Sequence, residues 1–229
     1  WTGPLNASGE IDAQTCEEYD KHFVVTRQEV DEFIAWYNDN DAYPNYSIPL
    51  SILNWPGNGI NGDYQFLAPY YDANDDGEYD PNDGDYPRYD VEGNLDCNTD
   101  DLIYGDQTLY WVFNDKGNIH SETSADPIGL EIRAQAFAFA TNDEINDMTF
   151  YNYKIINRAT TQLNDAYFGQ WVDPDLGKYD DDYVGCDVER GFGYCYNGDE
   201  NDEGATGYGL TPPAIGVDFF QGPLADPND

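Results

Sequence analysis

Apolar and polar positions alternate most clearly in the second half of the chain. From Leu130 to Ala140, Leu130, Ile132, Ala134, Ala136 and Ala138 fall on one side, while Glu131, Arg133, Gln135, Phe137 and Phe139 fall on the other. That period of two is the signature of a β-strand. The alanine stripe suits close packing of a second layer, and the two phenylalanines suggest that both faces are partly covered. Gln107 to Phe113 reads as another strand, and the turn Asp115-Lys116-Gly117-Asn118 after it suggests a hairpin. Further strands are expected at 148–157, 166–173, 191–196 and 215–220. Short strands separated by Gly, Asn and Asp turns predict a mainly β fold, an antiparallel β-sandwich or jelly roll.

The first half has a different rhythm. Residues 1–20 read as loop, and His22 to Val25 as a short strand. One helix is expected over 26–38: Thr26 is a candidate N-cap, Glu29 completes a capping box, and Val30, Phe33, Ile34 and Tyr37 make one apolar face. From Tyr43 to Tyr71 the chain is irregular, with Ile48, Leu50, Ile52 and Leu53 as anchors. The expected organisation is a loop-rich region over 1–106 and a β-sandwich region over 107–229, packed together as one unit. The chain opens on Trp1 and stops at Asp229 in a turn-like DPND, which reads as an internal piece of a longer polypeptide.

Between these halves lies an oxygen-rich loop, Asp72 to Asp85, with the sequence DANDDGEYDPNDGD. Asp72, Asn74 and Asp76 occupy alternate positions, Gly77 follows for a sharp turn, and Asp80 and Asp83 come at the ninth and twelfth positions. This is the ligand spacing of a twelve-residue calcium loop, in which Glu78 supplies its backbone carbonyl. Asp83 replaces the usual Glu at the last position, and Pro81 opposes an exiting helix. The expectation is a helix-free calcium loop of the kind found in extracellular modules, set against a solvated acidic turn.

A second acidic group follows in WVDPDLGKYDDDYVGCD, and Asp173, Asp175, Asp180 and Asp182 are its candidate calcium ligands, with Asp181 and Asp187 nearby. Consecutive aspartates are costly to hold together without a cation. A third cluster, Asp199, Glu200, Asn201, Asp202 and Glu203, reads as a solvated loop.

Composition sharpens this reading. The 229 residues carry 46 Asp and Glu, most of them Asp, against 9 Lys and Arg, for a formal charge of -37. Asp suits turns and ion-binding loops better than helix interiors. Such repulsion calls for bound cations or a surface adapted to salt. Nucleic acid is excluded as a partner for want of a basic footprint. Membrane insertion is excluded too, since no apolar run approaches the roughly eighteen residues a spanning helix needs. At 40% hydrophobic and 16% aromatic, the chain is also too apolar to be disordered.

The four cysteines, Cys16, Cys97, Cys186 and Cys195, lack CxxC spacing and histidine neighbours, which favours disulfides over zinc. Three connectivities are possible, and Cys16–Cys97 with Cys186–Cys195 is preferred. Disulfides and calcium loops together point outside the cytosol. No GxSxG elbow, P-loop or HExxH occurs, and His22 and His120 stand apart from any nucleophile pattern, so no catalytic motif is present.

Several long runs resemble a family of large secreted proteins of Bacteroidetes. They include GDQTLYWVFNDKGNIH, GLEIRAQAFAFATNDEINDMTFYNYKIINR, YFGQWVDPDLG, DDYVGCDVERGFGYCYNG and PPAIGVDFFQGP, with TRQEVDEFIAWYND and YDANDDGEYDPNDGDYP earlier. The resemblance covers nearly the whole chain. It implies export by type IX secretion within a longer protein that ends in a sorting domain, and it carries no catalytic residues. It also lowers the weight of the sequons at Asn6 and Asn45. The expected function is a calcium-stabilised structural or adhesive module at the cell surface, a filament or surface-layer component. Its partners would be other modules of the same polypeptide or copies of itself. The alternative is a glycan-binding or glycan-hydrolysing domain of a polysaccharide-degrading system.

Overall fold

The computed structural model describes residues 1–62, 64, 66–89 and 102–222. The protein is mainly β, with antiparallel sheets and few short helices, in keeping with the sandwich-like class expected. It divides into two units, Trp1–Gln162 and Leu163–Asp229. The division differs from the border expected at 106/107, because strands on both sides of that border share one sheet.

In the first unit, α1 (Ala13–Glu18) is followed by β1 (Phe23–Thr26), α2 (Arg27–Asn38) and α3 (Leu50–Leu53). A small hairpin, β2 (Tyr70–Tyr71) with β3 (Tyr86–Pro87), precedes three long strands: β4 (Gln107–Asn114), β5 (Leu130–Ala138) and β6 (Phe150–Asn157). The main sheet runs β1-β4-β5-β6, antiparallel throughout. Residues 1–20 are more ordered than expected. Asp12 caps α1 by accepting from Thr15 N, and the N-terminal segment hydrogen-bonds to the end of β4, Gly3 N donating to Val112 O at 2.8 Å.

The expected capping box forms. Thr26 Oγ1 accepts from Glu29 N, and Glu29 Oε2 accepts from Thr26 N at 2.8 Å. The helix buries Val30 and Phe33 in one core with Phe23 and Val25 of β1, Tyr110 and Val112 of β4, Ile52 of α3, and Trp55, Leu67 and Tyr89 from the loops. Of the four anchors expected around α3, Ile52 is fully buried and Ile48 packs against the core, whereas Leu50 and Leu53 face solvent.

Register shows which face of β5 meets this core. Gln135 pairs with Tyr110 and Arg133 with Val112, so the polar row of β5 shares the core-facing side. Glu131, at the end of that row, is fully buried, and Arg133 and Arg158 neutralise it. The alanine stripe lies on the opposite face, where Ala134 is flanked on the ladder by Trp111 and Tyr153. The turn expected at 115–118 does not close the β4–β5 hairpin. The connection runs on to 129, and Asp115 ties its end by accepting from the N–H groups of Ile128, Gly129 and Leu130.

The second unit contains β7 (Asp182–Asp187), β8 (Phe192–Asn197), β9 (Asn201–Asp202), β10 (Gly209–Leu210) and β11 (Ala214–Asp218). Its three-stranded sheet runs β11-β8-β7, and β9 pairs with β10. The strand expected at 166–173 is absent: that segment joins no ladder, and Tyr167 and Trp171 are exposed.

The cysteines stand differently from the expectation. Cys97 lies outside the described residues, so Cys16–Cys97 is not placed. Cys186 and Cys195 are free thiols on neighbouring strands. Cys186 pairs with Gly193 and Cys195 with Val184, which makes the two cysteines diagonal neighbours. Diagonal positions lie about 7–8 Å apart, beyond the reach of an unstrained bridge.

Candidate metal centre

The β2–β3 hairpin clamps the two ends of the acidic loop. Tyr70 pairs with Pro87 and Tyr71 with Tyr86, and the Tyr71 and Tyr86 rings stack at 4.9 Å. Residues 72–85 are therefore a hairpin loop with fixed ends. Short Asp and Asn side chains fold back on such a loop because they reach backbone N–H groups a few residues ahead.

The Asp72 carboxylate accepts from Gly77 N at 2.8 Å and from Asp76 N at 3.3 Å. Asn74 Oδ1 accepts from Asp76 N at 3.1 Å, and Asp76 Oδ1 from Glu78 N at 2.8 Å. Gly77 takes φ 78°, the left-handed turn that glycine adopts without a steric cost. Asp72, Asn74 and Asp76 thus curl the backbone about themselves. A carboxylate oxygen that accepts one N–H keeps a further lone pair.

The second half of the loop is arranged otherwise. Asp80 caps a short 3-10 helix, Pro81–Asp83, by accepting from Asn82 N at 2.9 Å. The Asp83 carbonyl accepts from the Tyr37 hydroxyl at 2.7 Å, which ties the loop to the end of α2. Among the described residues, no three Asp, Glu, His or Cys side chains converge as a metal-holding group. The loop's carboxylates are spread along it, and those of Asp72, Asp76, Asp80 and Asp85 are engaged by nearby N–H groups.

Two residues outside the expected ligand set organise this loop. Asn58, buried, donates to Gly77 O at 2.9 Å and accepts from Tyr79 N, bracing the turn from below. Asp85, also buried, accepts from Ala73 N at 2.8 Å and Asp80 N at 2.9 Å, closing the loop across its base. Burial pushes the Asp85 carboxyl up from its ordinary value; these two hydrogen bonds oppose that, and the charges of Asp72 and Asp76 add to it. Negative charge in the loop is therefore felt at its base. The Tyr79 hydroxyl is buried and donates to Ile52 O at 2.7 Å, and burial raises it well above its ordinary value.

The second acidic group does not assemble as expected. Asp173 and Asp175 are exposed on the unpaired segment before β7. Asp180 lies 3.1 Å from the Lys178 ammonium, and Asp187 pairs with Arg190 at 2.5 Å. Asp182 accepts from Leu176 N at 3.0 Å. The third cluster is only in part a solvated loop. Asp202 is 1% exposed and accepts from Lys178 N at 3.1 Å and Tyr208 N at 2.7 Å.

No protein-family model, curated protein or solved structure matches this chain.

Asn58 carries no signal in the sequence, being one of several Asn in a Pro- and Gly-rich stretch. Asp202 was hidden by its charged neighbours. Asp85, by contrast, closes the acidic run itself and was legible as part of the loop, though not as its base.

Proposed function

We propose that the chain is a calcium-stabilised structural or adhesive module of an exported cell-surface protein. The observation that supports this most is the Asp72–Gly77 turn: alternate Asp, Asn and Asp side chains curl over successive N–H groups and a left-handed glycine, in a loop with clamped ends. Asp72, Asn74 and Asp76, with the Glu78 carbonyl, would hold the ion, and Asp80 and Asp83 supply further carboxylates within the same twelve residues. A bound calcium would offset part of the formal charge of -37 and relieve the charge that bears on Asp85. It binds the folded state alone, so it would stabilise by about 2.7 kcal/mol with free ion a hundredfold above the dissociation constant.

The test is thermal unfolding of the 229-residue chain with calcium and with EDTA, together with elemental analysis. Calcium should raise the melting temperature by several degrees more than sodium chloride of equal ionic strength does. Equal melts and no retained metal would discard the proposal. Export by type IX secretion and assembly with other modules or copies of the chain belong to the same reading and rest on the family resemblance.

A second reading, glycan binding, is favoured by one feature. Tyr183, Tyr194 and Tyr196 form an exposed aromatic row on β7 and β8, with ring centroids 6.1 and 6.0 Å apart. Glycines make room for it, since a Cβ at Gly185 or Gly198 would collide with the Tyr194 or Tyr183 ring. A glycan array separates the two: saturable binding of one sugar class, lost on Tyr196→Ala, would favour this second reading.

A further inference from the structure

Asp182 begins β7 and Asn197 ends β8, and the two pair directly across the ladder. Their side chains therefore lie side by side on one face of the sheet. Asn197 is only 7% exposed, and its Oδ1 has no hydrogen-bond partner among the described residues. Its Nδ2 is used, donating to Asp199 O at 3.0 Å, which fixes the amide with its oxygen free. Asp182 Oδ1 is likewise buried and unpartnered, and so is Asp181 Oδ1. The orphan oxygens of Asp182 and Asn197 thus lie side by side at one end of a single hairpin.

Unpartnered buried oxygens are rare in folded proteins and call for an unseen partner. Those of Asp182 and Asn197 are both acceptors, one of them on a carboxylate, so a shared partner must be a donor or a positive ion. The Lys178 ammonium lies 3.1 Å from Asp180 and 3.8 Å from Asp181 Oδ2. Among the described residues, no ion pair reaches Asp182. The surrounding backbone is fixed for such a site: Leu176 N donates to Asp182 Oδ2, Gly198 N to Asp181 O, and Lys178 N to the buried Asp202.

We propose a cation site at this end of the β7–β8 hairpin, in which Asp182 and Asn197 bind a hard divalent ion, calcium by class, through their side-chain oxygens. Oxygen-only donors select calcium or magnesium over zinc or copper. Cys195, on the same face as Asn197, is buried, and burial raises its thiol above the ordinary value, with the Asp182 charge adding to the effect. The site is independent of the Asp72–Asp83 loop and stands whether or not that loop binds an ion.

Calorimetric titration of the metal-stripped 229-residue chain with calcium tests this. Asp182→Asn should remove one class of binding, and Asp72→Asn should leave that class untouched. Asn197→Asp adds a charge beside Asp182. It should tighten calcium binding at this site by about tenfold, since ligand charge tunes affinity, and should lower the melting temperature in EDTA. Asp182→Asn titrating like the parent chain would overturn the proposal. So would an Asn197→Asp protein whose binding is no tighter, a result that indicates buried water in place of an ion.

Discussion

Arg158, just beyond the last strand of the main sheet, places its Nη2 3.0 Å from Glu131 Oε1, a carboxylate with no exposure to solvent. Arg133 Nε meets the same oxygen at 2.9 Å, and Leu5 N donates to Oε2 at 2.9 Å. One buried acid thus joins the N-terminal segment, β5 and the residue after β6. Removing it strands two guanidinium groups, Arg133 being nearly buried. Glu131→Ala should cost about 3–5 kcal/mol in urea unfolding, the range for breaking a buried pair by deleting one partner. A loss below about 1 kcal/mol would show that the cluster is not holding these segments together.

The same carboxylate sets an acid limit. Burial pushes Glu131 up, but the hydrogen bond from Arg158 and the charge and hydrogen bond of Arg133 outweigh it, so its pKa lies below the ordinary 4.5. A depressed folded pKa means stabilisation that is complete above 4.5 and lost as pH falls through the lower folded value. The parent chain should therefore lose stability on acidification below 4.5 more steeply than Glu131→Gln does. Parallel slopes for the two proteins would count against this assignment.

At the helix start, Glu29 does more than Thr26. Its Oε2 accepts from both the N–H and the hydroxyl of Thr26, and its Oε1 accepts from Ser51 Oγ at 2.8 Å, reaching α3. Thr26→Ala should cost about 1 kcal/mol, as for other lost N-caps. Glu29→Ala should cost more, because it releases the cap and the tie to α3 together. The reverse order in chemical denaturation would contradict this arrangement.

Within the acidic loop, Gly77 is a clean probe, since a Cβ there meets nothing within 4 Å. Gly77→Ala should cost about 1–2 kcal/mol from its left-handed backbone alone. Asn58→Ala removes the brace beneath the same turn and should cost about 1–3 kcal/mol, leaving the Tyr79 N–H and Gly77 carbonyl unsatisfied. Both variants should bind calcium more weakly than the parent by calorimetry. Unchanged affinity in both would mean that the turn's shape does not govern the site.

The capping box and the alternation of β4 and β5 were legible because each is a pattern among near neighbours in sequence. The orientation of β5 was not. Its alternation identified two faces but not which one meets the core, since Glu131 and Arg133 compensate each other over that face, and pattern alone cannot see the ion pair. The strand expected at 166–173 failed for a related reason: aromatic residues there gave a strand-like composition without a partner to pair with. In the acidic loop, spacing located the turn, while its supports, Asn58 and Asp85, act through tertiary contacts. The end of the β7–β8 hairpin was the least legible part, because Asp182 and Asn197 meet only once the register is known.

Thr26 is at once the last residue of β1 and the cap of α2. No spacer separates the edge strand from the helix, so neither can swing without distorting the other. Eleven residues on, the Tyr37 hydroxyl donates to the Asp83 carbonyl. Tension applied to the sheet's edge is thereby delivered along a stiff rod to the rim of the acidic loop, with no slack in the path, and a change at that rim travels back the same way.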